Sequence, residues 1–473
     1  MIADATLRRI LPASTVALLG DLIRWCTWAG VAVVWASFAR AYFNLWVKTA
    51  TQPGKNDYSI FYYTAHMVRD GLPMYGPVPA AYGFKWPVES LGNLNPPHFA
   101  LLTAPFWYLS YQQAFVLWLA SGLVCLVLSL RIVWQELQYP RSLRLMLVVG
   151  AAVLSFAPFV LVASTGELTY FLLLPLTLGW RAARRGRWGA AGIWLGACAS
   201  VKLFLLLFLP WLLLQRRWRA AAAFVLTIAV MVAMGAALFG VDSYWQWRKT
   251  LAIIGWWGLP MNASFAGLVH RVWTTGAANA QWLAAVGGGV IAVATLACLR
   301  APAAGPRQVD TGMAGVLLGA LLASPLGWAY YVPLLLGPLL GCLDALWRGR
   351  AGRWWWPAVV VAGVFLYVPD EVIGAWHKVA WQAGTVGSLY FWALLLLWVT
   401  ALGWYGRRQQ GFELSGEGPH HGGDAIGHRA EQLLAGQQEL AGAPEQIDRE
   451  HYRHGQSRQR EVGFGGSARC SHG

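Results

Sequence analysis

Residues 145–180 read LMLVVGAAVLSFAPFVLVASTGELTYFLLLPLTLGW. The stretch has no lysine or arginine, and its one acid, Glu167, falls in the polar step Ser164-Thr165-Gly166-Glu167. About 20 apolar residues cross a hydrocarbon core of about 30 Å, so the stretch is long enough for two short crossings joined at that step. Basic clusters flank it, Arg141/Arg144 before and Arg181/Arg184/Arg185/Arg187 after. Such residues collect in cytoplasmic loops. The stretch therefore reads as a transmembrane hairpin whose tip lies on the outer face. It sets the fold class: an all-α polytopic membrane protein.

The rest of the chain extends this pattern. It has 473 residues, 57% of them hydrophobic, and a mean hydropathy of +0.46, too apolar for a soluble globule. The net charge of +15 comes from clusters between apolar runs, which argues against nucleic acid as a partner and for membrane lipids. The first run follows Arg8, Arg9 and Arg24 without a small-residue cleavage site, and reads as a retained helix. The six cysteines are scattered and read as small hydrophobes, and no metal-ligand spacing occurs.

If each basic cluster is cytoplasmic, the segments between clusters cross an even number of times. Residues 25–43 leave and about 111–130 return, with a long outer loop carrying Asp57 between them. Residues 188–214 form a short pair turning at Ser200-Val201-Lys202. Residues 219–239 and 283–299 form the next pair, 312–346 a hairpin tipped by Ser324-Pro325-Leu326-Gly327-Trp328, and 354–368 with 386–405 the last. The sum is about twelve crossings with both termini cytoplasmic. Residues 1–406 form the transmembrane domain. Residues 407–473 hold none of the 29 tryptophans and are rich in Gly, Gln, Glu, Arg and His, which reads as a disordered cytoplasmic tail. The tail's histidines, irregularly spaced, read as part of a solvated tail rather than a metal site.

This topology gathers the unusual polar residues on the outer face: Asp57, His98, Glu167, Lys202, Asn262, His270, Arg271, Tyr330, Tyr331 and His377. Asp57 stands in Lys55-Asn56-Asp57-Tyr58-Ser59-Ile60-Phe61-Tyr62-Tyr63, where partial desolvation by aromatic rings raises a carboxylate's basicity. It reads either as a general base or as a helix N-cap. Lys202, between two apolar runs, reads as a phosphate contact or as a lysine snorkelling to headgroups. His270 and Arg271 pose the same choice between phosphate contact and interfacial anchor. Glu167 reads as a contact to sugar hydroxyls, as a partner of Lys202 or Arg271, or as an ordinary loop acid. Asn95-Pro96-Pro97-His98 reads as a stiff lead-in to an interfacial or re-entrant helix, with His98 structural. The outer-loop aromatic residues, Trp86, Trp256, Trp257, Trp328 and Tyr330 among them, form an aromatic belt from which some stack on sugar rings.

With these residues in place, the chain resembles glycosyltransferase family 87, the polyprenol-phosphate-mannose-dependent α-mannosyltransferases of bacterial membranes, over about residues 20–405. The marks are Asp57 with Tyr62-Tyr63-Thr64-Ala65, then Gly71-Leu72-Pro73-Met74-Tyr75, Pro96-Pro97 with Phe99-Ala100-Leu101-Leu102, and Ala104-Pro105. Gly166, Gly192–Lys202, Arg216-Arg217-Trp218, Asn262/Ser264 and Ser324-Pro325 with Trp328 follow in order. The chain departs from the family pattern at Glu167, at Leu203 after Lys202, and at Trp328-Ala329-Tyr330-Tyr331, which lacks a histidine. The resemblance implies a C-type glycosyltransferase-like bundle with an extracytoplasmic site in the bacterial inner membrane. A hexose, mannose first, would pass from a polyprenyl-phosphate donor to a glycan or glycolipid acceptor with inversion, Asp57 acting as base. Lys202, Arg271 and His270 would bind the donor phosphate, and Glu167, Asn262, Trp328 and Tyr330 the substrate. No metal and no cofactor beyond the lipid-linked donor is expected. Two other readings are a lipid-linked glycan flippase or transporter, which predicts ionisable groups at mid-bilayer, and an O-antigen-ligase-like enzyme, which predicts a large late outer loop.

Overall fold

The computed structural model describes residues 13–54, 56–79, 82, 92–253, 255–273, 277–349, 352, 355–376 and 379–414. Arg8, Arg9, Lys55, Trp86, Arg350, Arg353, His377 and the tail from residue 415 lie outside the described residues.

The chain begins with α1 (Ala13–Ala50) and α2 (Asp57–Arg69), and after short turns at 97–106 enters α3 (Tyr111–Glu136). Ser110 starts α3 with a reciprocal cap: its Oγ accepts from Gln113 N, while Gln113 Oε1 accepts from Ser110 N. α4 (Leu143–Ser155) and α5 (Ala157–Thr165) meet at a bend of 64°, where Phe156 is extended and Pro158 lacks the N–H needed to continue α4. Gly166 then turns the chain into α6 (Thr169–Arg184). α7 (Trp188–Val201) stops at Lys202, whose backbone is extended, and a 3-10 turn leads into α8 (Phe208–Leu214). Next come α9 (Trp218–Phe239), α10 (Asp242–Ala252), α11 (Phe265–Val272) and α12 (Ala277–Cys298). They are followed by α13 (Pro306–Ala323), the 3-10 segment Ala329–Leu335 running into α14 (Leu336–Trp347), α15 (Trp356–Tyr367) and α16 (Leu389–Leu414). No strand forms among the described residues; Asn262 and Trp328 make an isolated antiparallel bridge.

Both expected breaks are where the run lengths put them, at Gly166-Glu167 and at Lys202. Among the described residues, five helices are long and apolar enough to span a membrane: α3, α9, most of α12, Ala329–Trp347 and Ala380–Gly406. The bent α4–α5 pair makes a sixth if taken as one span. The expectation of about twelve counted α7, α8 and α15 as crossings. At about 1.5 Å per residue, however, a helix of about 14 residues rises only about 21 Å, short of a hydrocarbon core. The coarser reading stands: the helices are those of a multi-pass membrane protein.

Lipid is as apolar as leucine, so hydrophobic burial does little to join helices within it, and close contact carries more of the association. A Cβ on Gly192 of α7 would lie 2.1 Å from the Ala220 carbonyl oxygen of α9, and one on Gly196 would lie 2.6 Å from that of Phe224. Only glycine lets the two backbones approach this closely. The interior is filled by large rings, with Tyr58, Phe115, Trp118, Trp180 and Trp211 all essentially inaccessible. A charged lock ties α3, α6 and α13 at the C-terminal end of α6: Arg184 pairs with Asp310, Trp180 Nε1 donates to Asp310 Oδ1 at 2.8 Å, and Glu136 takes Arg185 at 2.9 Å. The candidate site lies at the N-terminal end of the same helix.

Candidate active site

α2 starts on a cap that frees its first residue. Asn56 Oδ1 accepts from Ser59 N at 2.9 Å, from Ser59 Oγ at 3.0 Å and from Tyr111 Oη at 3.0 Å, while its Nδ2 donates to Thr49 O. Asn56 is thus the N-cap, and Asp57, one residue on, has its carboxyl available for other contacts. Asp57 is half-buried and faces a cavity of about 500 Å³.

Gly166 brings the second carboxyl to the first. Its φ of +67° is a left-handed conformation that costs glycine little, and a Cβ there would lie 2.7 Å from Tyr58 Cβ, so the hairpin tip rests directly on the start of α2. Glu167 follows, buried at 4% exposure. One of its oxygens receives Lys202 Nζ at 3.0 Å and Tyr331 Oη at 3.3 Å, and its carboxyl hydrogen-bonds that of Asp57. The Lys202 ammonium also sits 5.1 Å over the Tyr331 ring, a cation–π contact. Two carboxyls and one ammonium therefore share a corner of the cavity. Burial first, and the charge of Glu167 second, push the Asp57 carboxyl up to about 8, partly offset by Lys202. A carboxylate so shifted is a stronger base than one in water.

Beside this corner the lining is aromatic. Trp328 and Tyr330 stack with ring centroids 5.9 Å apart, and Trp256, Leu259 and Met261 line the wall beside them. Flat apolar faces next to carboxyl and ammonium groups suit a sugar ring, whose C–H face stacks while its hydroxyls bond.

Five of the eight residues singled out in the sequence line this one cavity: Asp57, Glu167, Lys202, Trp328 and Tyr330. Asn262, His270 and Arg271 do not. Asn262 is fully buried and spends its amide on backbone: Nδ2 donates to Trp257 O and Pro325 O, and Oδ1 accepts from Ser264 N and Gly327 N. It fastens the 257–264 segment to 325–329 and so holds Trp328 and Met261 at the wall. Arg271 donates from Nη1 to Leu259 O at 2.8 Å and Asn262 O at 2.9 Å, and from Nε to Ser388 Oγ at 3.0 Å. Two carbonyls and a serine hydroxyl of the chain, rather than the cavity, take these guanidinium donors. His270 packs edge-on against Trp257. His98 is buried between Tyr244 Oη and Ser200 O, and burial pushes its imidazole down to about 4, which keeps it neutral.

The sequence reading passed over Asn93 and took Asn95 only as the start of a stiff lead-in, yet both line the cavity. The available signal was their spacing: residues two apart in an extended segment lie on one side of the chain. The proline pair that follows drew attention away from them.

The model of glycosyltransferase family 87 matches residues 93–325, a stretch that includes Glu167 and Lys202 and begins after Asp57. Two curated relatives extend the likeness. One, a polyprenol-phosphate-mannose-dependent alpha-(1-2)-phosphatidylinositol mannoside mannosyltransferase of Mycobacterium tuberculosis, is 28% identical over 410 residues, 81% of this chain and 91% of the relative. The other, a polyprenol-phosphate-mannose-dependent alpha-(1-2)-phosphatidylinositol pentamannoside mannosyltransferase of Mycolicibacterium smegmatis, is 25% identical over 339 residues, 70% of this chain and 80% of the relative. No solved structure matches the chain. The apolar helices, the cavity and these likenesses together define a membrane glycosyltransferase. Within that class, the chain is similar to glycosyltransferase family 87 over residues 93–325.

Proposed function

We propose that the chain transfers a mannosyl residue from a polyprenyl-phosphate donor to a hydroxyl of a mannoside glycolipid, with inversion. The observation that carries this reading is the meeting of Asp57, Glu167 and Lys202 in a cavity with a stacked aromatic wall, in a chain whose relatives are named for polyprenol-phosphate mannose. The acceptor hydroxyl attacks the anomeric carbon from the face opposite the phosphate and gives its proton to the Asp57 carboxylate. The bond from the anomeric carbon to the phosphate oxygen breaks as the new glycosidic bond forms, and the lipid phosphate keeps the electron pair. Lys202 turns from Glu167 toward that phosphate and offsets the charge it gains. Because the phosphate is already a good leaving group, the enzyme needs a base, a cation and orientation, and no acid on the leaving side. Asn262, Arg271 and His270 support the 256–262 wall in this scheme.

The site faces the exterior of a bacterial inner membrane, with the charged lock of Arg184, Asp310 and Glu136 at the cytoplasmic end of α6. Together with α1, α6 and α13, the shorter apolar helices α7, α8 and α15 complete about twelve passes, the short ones as paired or re-entrant segments. Residues 407–473 form a cytoplasmic tail.

The test is transfer by purified protein from polyprenyl-phosphate mannose to a mannoside glycolipid, with the product's linkage read by NMR. An α-linked product from a β-linked donor supports the reading. Transfer from a nucleotide sugar instead, or retention of the β-configuration, overturns it.

A further inference from the structure

The segment Gly92–Asn95 forms one wall of the cavity, and its two asparagines are linked in a fixed order. Asn93 Nδ2 donates to Thr64 Oγ1 at 3.2 Å, which turns Asn93 Oδ1 toward Asn95. That oxygen accepts twice, from Asn95 N at 3.0 Å and from Asn95 Nδ2 at 3.1 Å. The Asn95 carbonyl oxygen is taken by Tyr75 Oη at 2.6 Å, and Pro96 follows, restricting the backbone. Asn95 is 2% exposed, and of these polar atoms its Oδ1 alone has no partner.

The orientation of this amide follows from chemistry. Flipping Asn95 would set its oxygen against Asn93 Oδ1, two acceptors facing each other, so Nδ2 must face Asn93 and Oδ1 must point elsewhere. A buried acceptor left without a donor is costly. A cavity wall that holds such an atom in place is ready for a ligand that carries an O–H.

We propose that Asn95 is a specificity-determining residue of the transfer site, its Oδ1 accepting a hydrogen bond from one hydroxyl of a hexose in the cavity, with Asn93 as its positioning residue. The inference rests on the sugar-transfer reading of the same cavity and goes beyond it, because it gives one wall the task of recognising a sugar hydroxyl. The hydroxyl belongs either to the donor mannose or to the acceptor sugar.

The experiment measures kcat and KM with two panels, the polyprenyl-phosphate mannose donor lacking each hydroxyl in turn and the mannoside acceptor lacking each in turn. In the wild type, one deoxy compound should fall by about tenfold to a hundredfold beyond its panel-mates. Asn95→Ala should lose about that factor with the parent compounds and show no further loss with that one deoxy compound. If Asn95→Ala does not fold, Asn95→Ser serves: its hydroxyl can still donate to Asn93 Oδ1 but puts no acceptor where the amide oxygen stands. The panel in which discrimination disappears identifies donor or acceptor. Discrimination that persists unchanged in the variant, or an even response across both panels, overturns the role of Asn95 while leaving the transfer reading intact. No transfer by the wild type from any lipid-phosphate hexose overturns both.

Discussion

Lys202 Nζ stands 3.0 Å from Glu167 Oε1, with side chains only 11% and 3% exposed. The pair is unequal to its surroundings, because the Asp57 carboxyl also bonds to Glu167 and has no ammonium of its own. One cation faces two acids. In a medium of reduced dielectric, the simplest way to balance that corner is to keep a proton on one carboxyl until substrate arrives.

Replacing Glu167 with glutamine tests this coupling. The charge of Glu167 raises the Asp57 carboxyl, so removing that charge must lower it. The activity of the wild type should climb with pH along a limb set well above the ordinary carboxylate range, since only the ionised base accepts a proton. In Glu167→Gln that limb moves to lower pH. A pH–rate profile of kcat/KM on both proteins measures the shift, and superimposed profiles would refute the coupling.

Asp57→Asn should leave the protein folded and cut transfer by about 10²–10⁴. The pH dependence of stability gives a second readout. The Asp57 carboxyl is raised in the folded state to about 8 from an ordinary value of 3.8, so over that window the folded protein holds a proton that the unfolded chain has released. Its contribution is complete below about 4 and is lost as pH rises toward about 8. Asp57→Asn should therefore flatten the fall in melting temperature between those limits. A variant that transfers at the normal rate would remove Asp57 from the chemistry.

Lys202→Met leaves two buried carboxyls without a cation. Breaking a buried pair from one side costs about 3–5 kcal/mol, more than the pair itself contributes, because the remaining charge is stranded. The double variant Lys202→Met/Glu167→Gln should recover much of that loss in a thermal melt, although neither protein should transfer sugar. If the two losses simply add, the 3.0 Å contact carries no coupling.

How legible this site was depended on what each residue had to do. Gly166-Glu167 and Lys202 stood out because a charge that interrupts an apolar run is costly wherever it is placed. Asp57 stood out for the same reason, although Asn56 and not Asp57 proved to be the cap. Asn262, Arg271 and His270 looked identical in kind, yet Asn262 and Arg271 spend their donors on the carbonyls of Trp257, Leu259, Asn262 and Pro325. Residue type does not distinguish a side chain aimed at a ligand from one that holds a loop in shape. Asn95 read only as part of a stiff lead-in, because its meaning lies in an unspent oxygen, visible only once its other partners are placed. The lengths of the crossings were hidden for a different reason: hydropathy reports apolar runs, and α7, α8 and α15 are apolar but short.

Gly166 offers the sharpest test of how the hairpin tip positions the acids. Gly166 and Gly186 have nearly the same backbone, φ +67° and +69°, but a Cβ on Gly186 meets nothing within 4 Å, whereas one on Gly166 meets Tyr58 Cβ at 2.7 Å. Alanine at either position bears the left-handed strain, about 1 kcal/mol. Only at position 166 must something also move, and the residues that adjoin the clash are Glu167 on one side and Asp57 on the other. Gly166→Ala should therefore melt lower than Gly186→Ala, and only Gly166→Ala should shift the acid limb of the pH–rate profile downward, as Glu167→Gln does but by less. Thermal melts and pH profiles of the two alanine variants decide it. Equal melting losses with unchanged profiles would mean that the tip does not set the distance between the two carboxyls.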